Sequence, residues 1–376
     1  MTEPFLPFTR PSIDEETVRA VGEVLRSGWL ASGPKVLELE QALSDYVGGR
    51  PVRVMTSATA GLEIALHVAG IGAGDEVITP AMSFVATANV IVRVGARPVF
   101  VDVELGSRNI DLAATENAIT PHTKAIMPVH FAGHALDMEW LYDIAKRHRL
   151  RVIEDAAHAI GTTQGAHRIG SIGDLVCFSF HPNKNMTTIE GGALVGNDAA
   201  EMTLIERHRF HGLVRDTEGG MDVFLPGGKA NLADVAAQIG LGQLRRLEQF
   251  NEQRRALVAR YFEKLSAEPE MQLPSRSDGG HSWHIFAPLL PLDQLRITRG
   301  DFIRLMHARG IGVGVHYPAI HLFTYYRTLG HKEGDFPIAE RIGRETVTLP
   351  LFPAMREADV DRVCAAISEI FAEYRR

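Results

Sequence analysis

The sequence predicts an α/β fold: a seven-stranded, mostly parallel central sheet followed by a smaller α+β C-terminal domain. Three observations predict it. Between residues 50 and 200, short apolar runs alternate with segments of helical periodicity, the pattern of a parallel sheet covered on both faces. From about Ala233 a long helical pattern, AAQIGLGQLRRLEQFNEQRRALVARYFEKL, runs on as if crossing from one domain to the next. The chain of 376 residues is also too long for one small core.

Taken in order, Ile13–Arg26 reads as a helix that leads into Ser27-Gly28-Trp29. The strand candidates are Val52–Ser57, Glu76–Pro80, Pro98–Val103, Lys124–Phe131, Arg151–Asp155, Leu175–His181 and Ala193–Gly196. Gly61–Ala69 and Met138–His148 read as helices between them. Beyond the long helix, Pro269–Gly280 is a linker rich in Pro, Ser and Gly. The C-terminal region then offers strands near His284–Leu290 and Gly312–His316 and helices over Arg299–Ala308 and Glu357–Tyr374. The expected division is an N-terminal arm and helix over 1–30, a large domain over 31–245 and a small domain over 246–376.

Composition narrows the function. A net charge of -7 argues against nucleic acid as a partner. The opening MTEPFLPFTRPSIDEE lacks the basic and apolar regions of a signal peptide, and no run of about 18 apolar residues is present to span a bilayer. Cys177 and Cys364 form no CxxC pair, so neither a disulfide framework nor a cysteine zinc site is expected. The 16 histidines include no HExxH, and no metal site is expected. GIGVG at 310–314 lacks the spacing of a dinucleotide fingerprint. A cytoplasmic protein that binds no membrane is the expectation.

In an open parallel sheet, ligands bind beyond the carboxyl ends of the strands. Three features lie there. In VMTSATAGLEIAL (54–66) a strand runs through Ser57-Ala58-Thr59 into a helix, whose free N–H groups suit a phosphate. Ser57 or Thr59 as a plain N-cap is the simpler reading of that feature alone. In RVIEDAAHAIG (151–161) Glu154 and Asp155 end a strand and face opposite ways, so one acid can point into a crevice while the other meets a structural partner. In LVCFSFHPNKNMTTIEGGALV (175–195) a loop between two apolar strands carries Lys184, with Ser179 five residues earlier. A loop lysine is usually a solvated charge, but one in an apolar pocket loses its proton readily and becomes a nucleophile. Together, an anion cradle, an acid and an amine at strand ends of one sheet form the arrangement that pyridoxal 5'-phosphate requires. Phe84, in PAMSFVATAN, could stack on its ring or serve as plain core.

These blocks, with PVHFAGHALDM, RFHGL and GVHYPAIH, resemble the DegT/DnrJ/EryC1/StrS family of sugar aminotransferases. The likeness runs from SGWLASGP (27–34) to TLPLFPAM (348–355). It implies the pyridoxal-phosphate-dependent transferase fold of the aspartate aminotransferase type, fold type I. It implies that Lys184 carries the cofactor, that Asp155 partners its ring nitrogen and that His158 lies near its phenolic oxygen. Phe84 matches the stacking aromatic, and Ser57, Ala58, Thr59 and Ser179 match the phosphate-binding positions. The resemblance also implies a homodimer with shared active sites, in which Lys229 of GGKANLAD completes the second subunit's phosphate site. Trp29, His316 and His321 are the matching substrate-contact candidates, the two histidines reading equally well as polar residues of a closing loop. Glutamate and 2-oxoglutarate are the implied donor pair, and a nucleotide-linked keto-sugar, UDP-4-keto in type, is the implied acceptor in a ping-pong Schiff-base mechanism. Lipopolysaccharide biosynthesis and lipid A modification are the associated pathways. The sequence departs from the family at Gly228 and Ala230, where aromatic residues are common, and in the short loop Val214–Pro226. The alternatives are another keto-sugar or a simple aldehyde or ketone as acceptor, a sugar dehydratase, which in this family has histidine for the lysine, and a non-catalytic sensor.

Overall fold

Seven strands form one sheet in a computed structural model that describes residues 4–215, 217–276 and 280–376. The first three residues of the opening segment, position 216 of the loop Val214–Pro226 and positions 277–279 of the linker lie outside the described residues. The strands are β1 (Val52–Met55), β2 (Glu76–Pro80), β3 (Arg97–Val101), β4 (Thr123–Ile126), β5 (Arg151–Asp155), β6 (Leu175–Ser179) and β7 (Gly192–Val195). Their order is β1-β7-β6-β5-β4-β2-β3. Only β7 is antiparallel to its neighbours, β1 and β6; the remaining pairs are parallel. The carboxyl ends of β1 to β6 therefore share one edge. β2 and β6 are buried at every position, as strands covered on both faces must be.

One face of the sheet packs Val54, Ile126, Val152 and Phe178 against Leu39, Leu43, Leu141 and Ile144. The other packs Ile153, Leu175, Cys177 and Leu194 against Leu62, Ala65, Leu66 and Ile205. Each fully buried aliphatic side chain of this kind contributes about 1.5–3 kcal/mol. The helix Asp234–Leu265 bridges two cores: Ala237, Leu241 and Leu247 lie in the first, while Leu257, Tyr261, Phe262 and Leu265 lie in a C-terminal cluster with Phe286, Phe302 and Phe371.

The C-terminal strands are a correction. Among the described residues, His284–Leu290 and Gly312–His316 form no ladder, only isolated bridges such as Phe286 to Leu349, Leu289 to Thr346 and Gly314 to Thr348. Pro288, Pro291 and Pro350 lack the N–H that would continue a ladder, and Gly312 and Gly314 weaken the other segment. In the large sheet, β1 stops at Met55 because Ser57 caps the next helix, Ala58–Val68. None of the helices in the described residues is long and apolar enough to cross a membrane.

Candidate active site

The turn after β1 builds an anion cradle. Ser57 is extended, and its Oγ accepts the Ala60 N–H at 3.1 Å. No described residue takes the Ala58 or Thr59 N–H, which are left at the positive end of the helix. Two glycines let the chain pack this closely. A Cβ on Gly192 would lie 2.5 Å from the Ala58 nitrogen, and one on Gly61 would lie 2.5 Å from Cys177 Sγ. Ser179, at the end of β6, is buried beside the same turn and lines the same cavity.

The two acids at the end of β5 separate as alternation requires. Glu154 is fully buried; its Oε2 lies 2.9 Å from His130 Nε2, and its Oε1 accepts the Tyr142 hydroxyl at 2.6 Å. The Leu136 N–H donates to His130 Nδ1, so the ring proton sits on Nε2 and goes to the carboxylate. Asp155 turns to the opposite side. Its Oδ2 accepts the Thr87 hydroxyl at 2.8 Å and its Oδ1 accepts the Ala157 N–H at 3.1 Å. Burial pushes its carboxyl above the usual range, against the pull of those two bonds and of Lys184.

Lys184 stands on the loop after β6, its N–H bonded to His181 O at 2.9 Å. Burial pushes its amine down to about 8, opposed by the Asp155 carboxylate. No described residue hydrogen-bonds the amine, so it is free for an occupant of the cavity.

The cavity has a volume of about 350 Å³ and contains Ser57, Ala58, Thr59, Phe84, Asp155, His158, Ser179, Lys184 and His316 in its wall. Phe84 is 54% exposed toward it. The Ala132 N–H donates to His158 Nδ1 at 3.2 Å, which puts the proton of the neutral ring on Nε2 and directs it at Tyr317 Oη, 3.3 Å away. Burial keeps His158 neutral well below the ordinary imidazole range. His316 pairs through Nδ1 with Thr348 Oγ1 at 2.8 Å, and burial with the nearby Lys184 pushes it down to about 4.

Sequence reasoning missed Tyr317 and Thr87. Tyr317 follows His316 directly, yet an aromatic before proline has no signal to tell it from core. Thr87 lies three residues past Phe84, one helical turn on, a spacing that could have found it.

Three candidates lie outside the cavity of the single chain. His321 is corrected: it is buried, its Nε2 lies 3.0 Å from Glu340, and its ring packs on Phe336 at 4.8 Å, because the 3-10 turn Ile320–Leu322 carries it into the C-terminal packing. Trp29 is 63% exposed on the outer surface, where the helix Glu15–Ser27 ends in left-handed Gly28. Lys229 donates to Asn231 Oδ1 and sits over the Phe210 ring at 4.9 Å.

The sequence profile of the DegT/DnrJ/EryC1/StrS aminotransferase family matches residues 11–368. The UDP-4-amino-4-deoxy-L-arabinose–oxoglutarate aminotransferase of Shewanella sediminis is 41% identical over 98% of this chain and 99% of its own length. The PLP form of Spr1654 from Streptococcus pneumoniae superposes with a TM-score of 0.92 at 32% identity, covering 99% of both chains. Helicobacter pylori PseC, an aminotransferase involved in the biosynthesis of pseudoaminic acid, superposes with a TM-score of 0.90 at 27% identity, covering 98% of this chain and all of its own, 100%.

Proposed function

The chain belongs to the DegT/DnrJ/EryC1/StrS aminotransferase family and is a pyridoxal-phosphate-dependent aminotransferase, and from that premise we propose that it moves the amino group of glutamate to the carbonyl carbon of a UDP-linked 4-keto sugar. One observation carries the reading: the Lys184 amine and the Asp155 carboxylate face one cavity whose floor is the start of the helix Ala58–Val68. The name of the Shewanella sediminis relative supports the acceptor.

The residues present fit the cofactor. A buried carboxylate needs a cationic partner, and Asp155 has spent only one hydrogen bond on each oxygen. The Ala58 and Thr59 N–H groups and the Ser57, Thr59 and Ser179 hydroxyls suit a phosphate, and Phe84 offers its ring face. When bound, the cofactor supplies the electron sink that acidifies the Cα–H of an amino acid.

The chain's own groups supply the rest. Lys184, shifted down to about 8, is neutral in about a tenth of molecules at pH 7, far more than a solvated lysine, and its Nζ takes and returns the Cα proton. Burial raises the Asp155 carboxyl against the pull of Thr87, Ala157 and Lys184, and a protonated ring nitrogen of the bound cofactor would be the cation that this acid faces. His158, neutral and with its proton fixed on Nε2, acts as a donor to an oxygen at the cavity. Tyr317 and His316 line the same cavity as the cradle residues. Lys229 lies outside its own cavity and serves the phosphate of a partner subunit. Trp29, Leu37, Met221 and Phe224 are exposed apolar side chains that support such a homodimer.

Two outcomes are expected. Thr87→Val removes a bond that lowers the Asp155 carboxyl, so the acid limb of the pH profile moves to higher pH and the rate at neutral pH falls by about tenfold. Steady-state rates against pH check this; an unmoved acid limb refutes the Thr87 support. In the second, protein loaded with glutamate is expected to release 2-oxoglutarate and then regain its visible absorbance with a UDP-4-keto sugar. Recovery with only simple aldehydes or ketones would overturn the acceptor. A dehydratase or sensor would release no 2-oxoglutarate.

A further inference from the structure

Asn185, the residue after Lys184, is buried and belongs to no part of the cavity wall. Its side-chain amide donates twice: to Asn251 Oδ1 at 2.7 Å and to Ser282 O at 2.9 Å. Both partners are themselves fully buried and come from distant parts of the chain. Asn251 belongs to the helix Asp234–Leu265, and its Nδ2 donates to Ile160 O at 3.4 Å. Ser282 Oγ donates to His158 O at 3.3 Å and accepts from Thr162 Oγ1 at 2.8 Å. Gly161 makes room for the junction, since a Cβ there would lie 2.2 Å from Asn251 Nδ2. The segments that carry Lys184 and His158 are thus tied to each other and to the long helix through one set of buried amide, hydroxyl and carbonyl groups.

The donor side of this set is fully used, while Asn185 Oδ1 finds no partner among the described residues. Asn185 uses both amide hydrogens, and flipping the amide would set its oxygen against two acceptors. Such a fully engaged donor admits one arrangement of the loop. The Lys184 backbone is otherwise held by a single turn bond to His181 O. Reach and direction of a flexible lysine depend on where its Cα is held, and a displacement of about 1 Å can cost about 100-fold in rate.

We propose that Asn185 is a positioning residue for the reaction, acting through Lys184: its two hydrogen bonds hold the lysine loop in register with the His158 loop. This rests on the reading of Lys184 given above.

The test compares Asn185→Ala with the cofactor-loaded wild-type protein. The expected result is a kcat lower by about 10- to 100-fold with KM for glutamate changed by no more than about twofold. The visible absorbance of the bound cofactor, read across pH, is expected to titrate at a displaced midpoint, because the lysine that holds it has moved. Asn251→Ala removes only one of the two bonds and is expected to change both readouts in the same direction by less, which covers failure of the first variant to fold. Thr115→Val removes a buried hydroxyl that donates to Asp111 O at 2.7 Å, its one side-chain bond among the described residues, and that is no part of the cavity wall; it supplies a loss of stability without a loss of kcat. Variants at 185 and 251 that lose melting temperature as Thr115→Val does, while kcat and the absorbance titration stay at wild-type values, would overturn the proposal. A failure of the Lys184 reading is separable: it shows as turnover in Lys184→Ala, whatever happens at position 185.

Discussion

Lys184→Ala is expected to abolish amino transfer, lowering kcat by at least about 10³-fold, within the range that a positioned acid–base group contributes. The argument begins from the amine itself. It lies at a 350 Å³ cavity with Asp155 and His158, and no described residue pairs with it. Burial disfavours its charged form more than the Asp155 carboxylate restores it, so the amine is pushed down to about 8. Because the shift is downward from 10.5, the neutral fraction rises as pH passes through about 8. An amine-selective reagent applied to the cofactor-free chain is therefore expected to label Lys184 with a midpoint near that value. The same variant is expected to lose the visible absorbance of the lysine-held cofactor. Normal turnover by Lys184→Ala, or a labelling midpoint near that of a solvated lysine, would remove the residue from its assigned place.

Asp155→Asn should lower kcat by about 10²- to 10³-fold while the protein stays folded, the scale seen when one preorganised electrostatic group is lost. The substitution is nearly isosteric. The Ala157 N–H still finds an amide oxygen, and the Thr87 hydroxyl can turn to suit the new side chain. What disappears is the buried negative charge. Lys184 provides an independent reading of that loss: the carboxylate raises its pKa, so removing it should move the labelling midpoint further down, below about 8. An unchanged rate would take Asp155 out of the mechanism, and an unmoved midpoint would show that the two groups do not sense each other.

Much of the fold was legible in the sequence. Glu76–Pro80 and Arg151–Asp155 appear with the predicted bounds, as do the helices Met138–His148, Arg299–Ala308 and Glu357–Tyr374. Their apolar periodicity reports the packing that each must bury. The separation of Glu154 from Asp155 was legible too, because alternation along a strand is geometry. The ends of elements were less so: β6 stops at Ser179 rather than His181, where the chain leaves the sheet for the lysine loop. In the C-terminal region, prolines in one segment and glycines in the other broke the apolar runs into single bridges, a cost that periodicity does not register.

Local order determined which residues stand at strand ends: the small-residue turn at Ser57, the acid pair at 154 and 155, and a lysine between two apolar runs. Each of those signals lies within a few residues, where backbone stereochemistry and burial pattern suffice. Tertiary structure alone decided which side chains meet across the chain. It brought Thr87 to Asp155 and Tyr317 to His158, and it tied Asn185 to Asn251 and Ser282. It also took His321 away from the cavity and gave it to Glu340. Those pairings span 19 to 159 residues of sequence, and at such distances the partner is chosen by how helices and sheet pack, which no local pattern encodes.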